Sequence, residues 1–160
     1  MKNFLIREAV KSDLPTLLQF EQALIEAERP FDHTIRNGPL HYYDLKELIA
    51  NKEVKLVVAV VDEQIVSSGF GIAKTARSYL DHEQYAYLGF MYTLPGYRGK
   101  GINGKIVEVL RNWAKSEGLL EVRLTVYQEN TPAIAAYEKV GFKKHIIEMR
   151  ITSAEQESKG

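Results

Sequence analysis

Pro95-Gly96-Tyr97-Arg98-Gly99-Lys100-Gly101-Ile102-Asn103-Gly104-Lys105 stands between an apolar, strand-like stretch and an amphipathic, helix-like one. Its glycines permit positive φ and let a ligand come close to the backbone. The helix that follows offers N–H groups without intrahelical partners and the positive end of its dipole. An anion is therefore expected to bind here through the main chain. Two nucleotide patterns come near. Gly99-x-Gly101-x-x-Gly104 has the dinucleotide spacing, and Gly99 to Gly104-Lys105 stops one residue short of a P-loop. Context rejects both. The Ser or Thr that holds magnesium in a P-loop is Ile106 here. The dinucleotide fold needs its strand to run almost directly into the first glycine and needs further βα units afterwards. Here Pro95 and Arg98 intervene, and only 56 residues follow Gly104.

Outward from the loop, Ile102, Ile106, Val109, Leu110 and Trp113 form one helical stripe that stops at Gly118. Trp113 reads as core. Leu119 to Tyr127 predicts a strand, Thr131-Pro132 an N-cap and helix start at Pro132, and Phe142 to Ile151 a last strand after Gly141. Towards the N-terminus, Gln84 to Thr93 predicts the strand that feeds the loop. Lys55 to Asp62 and Ile65 to Lys74 predict a hairpin turning at Glu63-Gln64. Tyr42 to Asn51 predicts a short helix, and Pro30, Gly38 and Pro39 mark a loop before it. Ser12-Asp13 caps a helix carrying Leu14, Leu17, Leu18, Leu24 and Ile25, and Phe4 to Ala9 predicts the first strand. The order is β-α-α-β-β-β-α-β-α-β, an α/β fold of the mixed (α+β) kind. Strand, helix, strand around the loop implies a right-handed crossover between parallel strands.

At 160 residues and 45% hydrophobic, the chain has the size of one domain with its own core. Residues 1–152 are expected to form that domain and 153–160 a polar, frayed tail. Lys plus Arg and Asp plus Glu number 21 each, so no global field draws in nucleic acid or an anionic membrane. Neither is expected as a partner. The longest aliphatic run, Leu56 to Val61, is far short of the ~20 residues of a membrane span. Charges at Arg7 and Glu8 come too soon for a signal peptide. With no cysteine in the chain, the expected location is cytoplasmic. The same absence excludes a thiolate zinc site and a cysteine nucleophile. His33, His41, His82 and His145 lack metal-ligand spacing, so no metal is expected.

Arg98-Gly99-Lys100-Gly101-Ile102-Asn103 resembles the Arg/Gln-x-x-Gly-x-Gly/Ala pyrophosphate loop of the GNAT superfamily of N-acetyltransferases. Asn103 departs from the small residue usual at its position, with Gly104 one place late; Asn tolerates unusual backbone angles and bonds nearby amides. Asn130-Thr131-Pro132-Ala133-Ile134-Ala135-Ala136-Tyr137-Glu138-Lys139-Val140-Gly141-Phe142 resembles the family's second signature. The resemblance covers most of the chain in element order and implies a sheet whose parallel central strands splay to admit the cofactor. It implies acetyl-coenzyme A as cosubstrate, a small-molecule or peptide amine as acceptor, and a homodimer, since relatives are often dimers. Implied cofactor contacts are Met91, Tyr92, Thr93, Arg98, Gly99, Lys100, Gly101, Ile102, Asn103, Gly104, Asn130, Ala133 and Tyr137.

Acetylating an amine needs a deprotonated nitrogen, donors for the thioester oxyanion and a proton for the departing thiolate. By the resemblance, the donors are backbone N–H groups of Phe90 to Thr93, freed by local irregularity; an ordinary buried strand is the alternative. Ala133 and Tyr137 share a helix face, so a small residue beside the phenol leaves room for a ligand arm. A phenol with a pKa near ~10 retains a proton for a thiolate near ~8.5, which makes Tyr137 the expected general acid. Core packing is the alternative. Asn130 is equally suited to the pantetheine arm and to capping the following helix. Glu83, beside Asp81 and His82, is the expected base, against a plain solvated turn. Glu21, Glu26, Glu28 and Asp32 form either an acidic mouth for a cationic amine or a solvated helix face. Phe31, Tyr42 and Tyr43 suit an aromatic acceptor pocket or packing. Without Cys or a Ser-His pair, transfer is expected by direct attack in a ternary complex. A non-catalytic coenzyme A sensor and a small nucleotide-binding enzyme on the near-P-loop are the rival readings.

Overall fold

The computed structural model describes residues 3–153. In chain order the elements are β1 (Leu5–Glu8), α1 (Leu14–Glu28), α2 (Leu45–Ala50), β2 (Lys55–Val61), β3 (Gln64–Thr75), β4 (Gln84–Thr93), α3 (Ile102–Ser116), β5 (Val122–Arg123) and α4 (Thr131–Lys139). One five-stranded sheet runs β1-β2-β3-β4-β5. Its first three pairings are antiparallel and β4–β5 is parallel, as the crossover through α3 requires. The β2–β3 hairpin turns on Asp62 and Glu63, both left-handed at φ 47° and 66°, so the turn lies one residue earlier than the sequence predicts.

Alternation along β2 sorts the core into two layers. Leu56 and Val58 meet Leu17 and Phe20 of α1, Leu45 of α2, and Phe70, Phe90 and Tyr92. Val57, Ala59 and Val61 face the other way, onto Ile102, Ile106 and Leu110 of α3. Each such fully buried aliphatic contributes roughly 1.5–3 kcal/mol. Glycines in β3 let α3 lie close against the sheet. A Cβ on Gly69 would stand 2.9 Å from Ile106 Cγ2, and one on Gly71 2.7 Å from Trp113 Cζ3. Trp113 is thus a packing residue, as the helical stripe predicts, though only partly buried against Ala86, Ala114 and Leu119.

α2 is shorter than the predicted Tyr42 to Asn51, because Asp44 caps it: its side chain accepts the Glu47 N–H at 3.2 Å. α4 starts at Thr131 behind Asn130, so Asn130 rather than Thr131 is the cap and Pro132 sits one position further in. Two predicted strands are cut back. Leu119 to Tyr127 pairs only at Val122 and Arg123, and Phe142 to Ile151 forms no strand at all. Alternating apolar residues confer strand propensity, but a strand exists only where an edge accepts its hydrogen bonds. Of the predicted tail only Ser153 falls within the described residues. Among the described residues, no helix is long and apolar enough to cross a membrane.

Candidate active site

Phe90, in the middle of β4, has φ 55°, a left-handed conformation costly for a bulky side chain. The ladder slips here. Ser68 faces Tyr92 but Phe70 faces Gly89, so Phe90 and Met91 together oppose Gly69 as a β-bulge. The bulge is held on every side. The Phe90 N–H donates to the Tyr43 hydroxyl at 3.2 Å, and buried Ser68 donates to the Phe90 carbonyl at 2.9 Å. Buried Ser67 donates to the Tyr92 carbonyl at 2.8 Å. Leu94 N–H bonds to Val66 of β3 at 2.9 Å, so strand alternation turns the N–H groups of Met91 and Thr93 the other way. On that side β5 has parted from β4: the two strands pair only at Ala86–Val122 and Tyr87–Arg123. Beyond Tyr87 the ladder towards the glycine loop is left open.

The glycine loop lies at the end of β4. Arg98 reaches back, Nε donating to the Thr93 carbonyl at 2.8 Å, with its guanidinium over the Tyr92 ring. Gly99 and Gly101 are left-handed at φ 74° and 84°, and a Cβ on either would meet nothing within 4 Å. Backbone conformation, not crowding, requires glycine there, and the space above them is open. Gly101 is the N-cap of α3, and no side chain caps the first turn. The N–H groups of Ile102, Asn103 and Gly104 therefore point out of the helix end unpaired within the helix. Ile102, fully buried, anchors the turn, while Arg98 and Lys100 are exposed. Gly104 is helical; a Cβ on it would come 3.3 Å from Val140, so its bareness lets α4 approach α3.

That approach brings Tyr137 to the same region. Its ring packs edge-on against Phe142 at 5.8 Å between centroids. Burial pushes its phenol up to about 12, and the neighbouring Glu28 and Tyr87 act in the same direction. One turn earlier, Ala133 donates its N–H to Asn130 Oδ1 at 3.4 Å, so Asn130 caps α4 with its oxygen. The Tyr87 hydroxyl, 2.9 Å from Thr125 Oγ1, bridges β4 to the chain beyond β5.

Glu28, the last residue of α1, stands among tyrosines. Burial raises its pKa above the ordinary glutamate value, and a hydrogen bond from Tyr42 offsets part of the rise. The phenols of Tyr42, Tyr43, Tyr127 and Tyr137 all feel its charge. Burial, then the charges of Asp32 and Glu28, push Tyr127 up to about 12; its hydroxyl donates to Asp32 Oδ2 at 3.2 Å and its ring stacks on Phe31 at 6.0 Å. Asp32 is held far below the usual carboxylate range by hydrogen bonds from Thr34 and then Arg150.

The acidic residues of α1 thus separate. Glu21 is wholly buried and anchors the following loop, accepting the N–H groups of Tyr42 and Tyr43 at 2.9 and 2.8 Å, with His41 Nδ1 at 2.7 Å. Glu26 pairs with Arg29 on the surface. Glu83 is exposed in the turn before β4, roughly 13 Å along the strand from Tyr87 at the splay. Tyr87 and Tyr127, which the sequence reading did not single out, join β4 and the chain beyond β5 to their surroundings through Thr125 and Asp32. Their signal was positional: one lies in the strand before the glycine loop, the other three residues before Asn130.

The Acetyltransferase (GNAT) family model matches residues 20–142. The chain belongs to the GNAT family. Among its curated relatives is the Uncharacterized N-acetyltransferase YobR of Bacillus subtilis (strain 168), 33% identical over 81 residues, which are 43% of this chain and 33% of YobR. The chain thus spans about a third of that relative's length. Aminoglycoside N(6')-acetyltransferase type 1 of Salmonella typhimurium is 22% identical over 107 residues, covering 65% of this chain and 72% of the enzyme. A crystal structure of a predicted acetyltransferase with acetyl-CoA from Clostridium acetobutylicum superposes with a TM-score of 0.69 at 20% identity, over 96% of this chain and 98% of that one. This GNAT fold therefore extends beyond the matched family segment.

Proposed function

We propose that this GNAT protein transfers an acetyl group from acetyl-coenzyme A to a primary amine by direct attack within a ternary complex. One observation carries the reading: the β4 bulge and the uncapped start of α3 lie at the two ends of the glycine loop, next to where the β4–β5 ladder stops, and the buried Tyr137 phenol is influenced by Tyr87 of β4. The hollow fits the cofactor. Amides from Gly99 to Gly104, with Arg98 and Lys100, would hold its diphosphate. Met91, Tyr92 and Thr93 on β4, and Asn130 and Ala133 on α4, would flank its arm. Bound there, acetyl-coenzyme A supplies an acetyl group activated as a thioester.

The chain's own groups do the rest. The outward N–H groups of Met91 and Thr93 are the donors for charge developing on the acetyl oxygen. Tyr137 holds a proton for the leaving thiolate. Glu28 takes the proton from the amine. Glu28 is preferred to Glu83 in this role because it is partly buried among tyrosines, whereas Glu83 is exposed and displaced along β4. The same carboxylate among aromatic rings suits a cationic amine. The relative named for aminoglycosides supports a small-molecule acceptor.

The test is thiol release from acetyl-coenzyme A against a panel of aminoglycosides, polyamines, amino acids and peptides. Amine-dependent release with a one-to-one acetylated product is expected. Cofactor binding by calorimetry with no turnover on any amine would instead indicate a binding module.

A further inference from the structure

Glu21 and Glu28 lie two turns apart on one face of α1, separated by about 10 Å along its axis. The loop between α1 and α2 is bonded to that face. Glu21 is wholly buried, and its Oε2 accepts the N–H groups of both Tyr42 and Tyr43 at 2.9 and 2.8 Å, while Oε1 meets His41 Nδ1 at 2.7 Å. Burying a carboxylate is costly unless its oxygens are bonded, and here those bonds go to three consecutive loop residues.

From this anchor two phenols diverge. Tyr42 extends along α1 and donates its hydroxyl to the Glu28 carboxylate. Tyr43 extends to the sheet, where its hydroxyl accepts the Phe90 N–H at 3.2 Å and its ring packs on Phe70 and Phe90 at 5.3 and 5.4 Å between centroids. At a bulge the extra residue is left out of the ladder, so this N–H depends on Tyr43 for its acceptor. The two rings stand edge to face at 5.9 Å, which ties the position of one phenol to that of the other.

We propose that Glu21 is a positioning residue for acetyl transfer: by fixing the Tyr42 and Tyr43 amides it sets both the base, Glu28, and the bulged strand that carries the donors for the acetyl oxygen. This role rests on the transfer proposed above, with Glu28 as base and the N–H groups of Met91 and Thr93 as donors. Glu21 touches neither reacting group. It acts through the loop, so base and donors, which belong to different elements, are registered to one another by a single carboxylate. Removing either phenol disturbs one arm, and removing the carboxylate disturbs both.

Two measurements on the substrate-free protein read the arms separately: titration of the Glu28 carboxyl by carbon-13 NMR, and hydrogen exchange of the Phe90 amide. Glu28 is faced by Tyr42 and Tyr43 of the loop, Tyr127 beyond β5 and Tyr137 of α4, with Tyr42 bonded to it. A hydrogen bond to the ionised form favours that form, so Tyr42→Phe is expected to move the Glu28 titration upward and leave Phe90 exchange unchanged. Tyr43→Phe is expected to speed Phe90 exchange and leave the titration in place. Glu21→Met retains the straight chain without an acceptor, and Glu21→Gln retains one oxygen for the two N–H groups. Both remove the same charge, so the difference between them isolates the anchor: the methionine variant is expected to titrate Glu28 higher and to exchange Phe90 faster. With an accepted amine its kcat is expected to fall by up to about 10²-fold at unchanged KM for acetyl-coenzyme A, and the glutamine variant to restore it. Should the methionine variant unfold, native-state exchange of the unaltered chain in rising urea decides instead, with the Tyr42, Tyr43 and Phe90 amides expected to open together. A Glu28 titration unmoved by Tyr42→Phe, Phe90 exchange unmoved by Tyr43→Phe, methionine and glutamine variants alike in titration, exchange or turnover, or amides that open independently would each overturn the proposal. The expected shifts without turnover of any amine would support the anchor and remove the transfer reaction instead.

Discussion

As the proposed general acid, Tyr137 faces two demands on one phenol: it must be near the thiolate and still hold its proton. Burial beside Glu28 and Tyr87 pushes it up to about 12, so it remains protonated across the working range. Tyr137→Phe is expected to lower kcat by about 10²-fold while calorimetric affinity for coenzyme A stays near that of the unaltered chain. Unchanged turnover would remove the phenol from the mechanism. Glu28 works in the opposite sense. Burial raises its pKa, and a base acts only when ionised, so kcat/KM should climb with pH as Glu28 loses its proton. In Glu28→Gln that acidic limb is expected to vanish and the plateau to drop by about 10²-fold; a retained limb assigns the base elsewhere. Neither role was fully legible in the sequence. Tyr137 stood out through the Asn130 to Phe142 signature, whereas Glu28 was one of four acidic residues whose spacing could not rank them. Burial ranked them, sending Glu21 into a loop anchor and leaving Glu28 partly buried among tyrosines.

The glycine loop and α3 act as one element, because the left-handed turns at Gly99 and Gly101 aim the helix start at open space. A side chain at Gly101 meets no atom, so its effect comes from backbone strain, about 1–2 kcal/mol, and from filling the hollow itself. Gly101→Val is therefore expected to abolish detectable coenzyme A binding in calorimetry while the protein stays folded. Wild-type affinity would contradict the placement of the diphosphate. This element was readable from residue order alone, since glycine spacing and the stripe from Ile102 to Trp113 are local properties. The Phe90 bulge was not. Nothing in Phe90-Met91-Tyr92-Thr93 requires a left-handed residue; the conformation persists because Tyr43, Ser67 and Ser68 arrive from other elements to bond it.

Across the molecule, the sheet's first edge is tied to α1 by Arg7 and Asp13. Two bonds at 2.7 and 3.0 Å join guanidinium to carboxylate, and the Val10 N–H adds a third at 2.8 Å. The Arg7 bonds first, then the Val10 bond, hold the Asp13 pKa below its ordinary value against the opposing effect of burial. A carboxylate with a lowered folded pKa stabilises fully above its unfolded pKa near ~4, and that stability is lost as pH falls through the folded value. Asp13→Asn is expected to cost about 1–2 kcal/mol at neutral pH and to flatten the acid side of the stability profile, read by urea unfolding at stepped pH. An unchanged acid slope would show that the pair contributes nothing. Residue order by itself determined the size of the core, the alternation of elements, the parallel crossover around the glycine loop and the helix that presents Tyr137. These follow from periodicity, caps and glycines, whose physics is settled within a few residues. Tertiary structure alone decided which carboxylate is partly buried among the tyrosines, where β4 bulges and which apolar strand sequence forms no ladder. Those depend on what lies opposite, and burial and hydrogen-bond partners are contributed by segments far apart in the sequence.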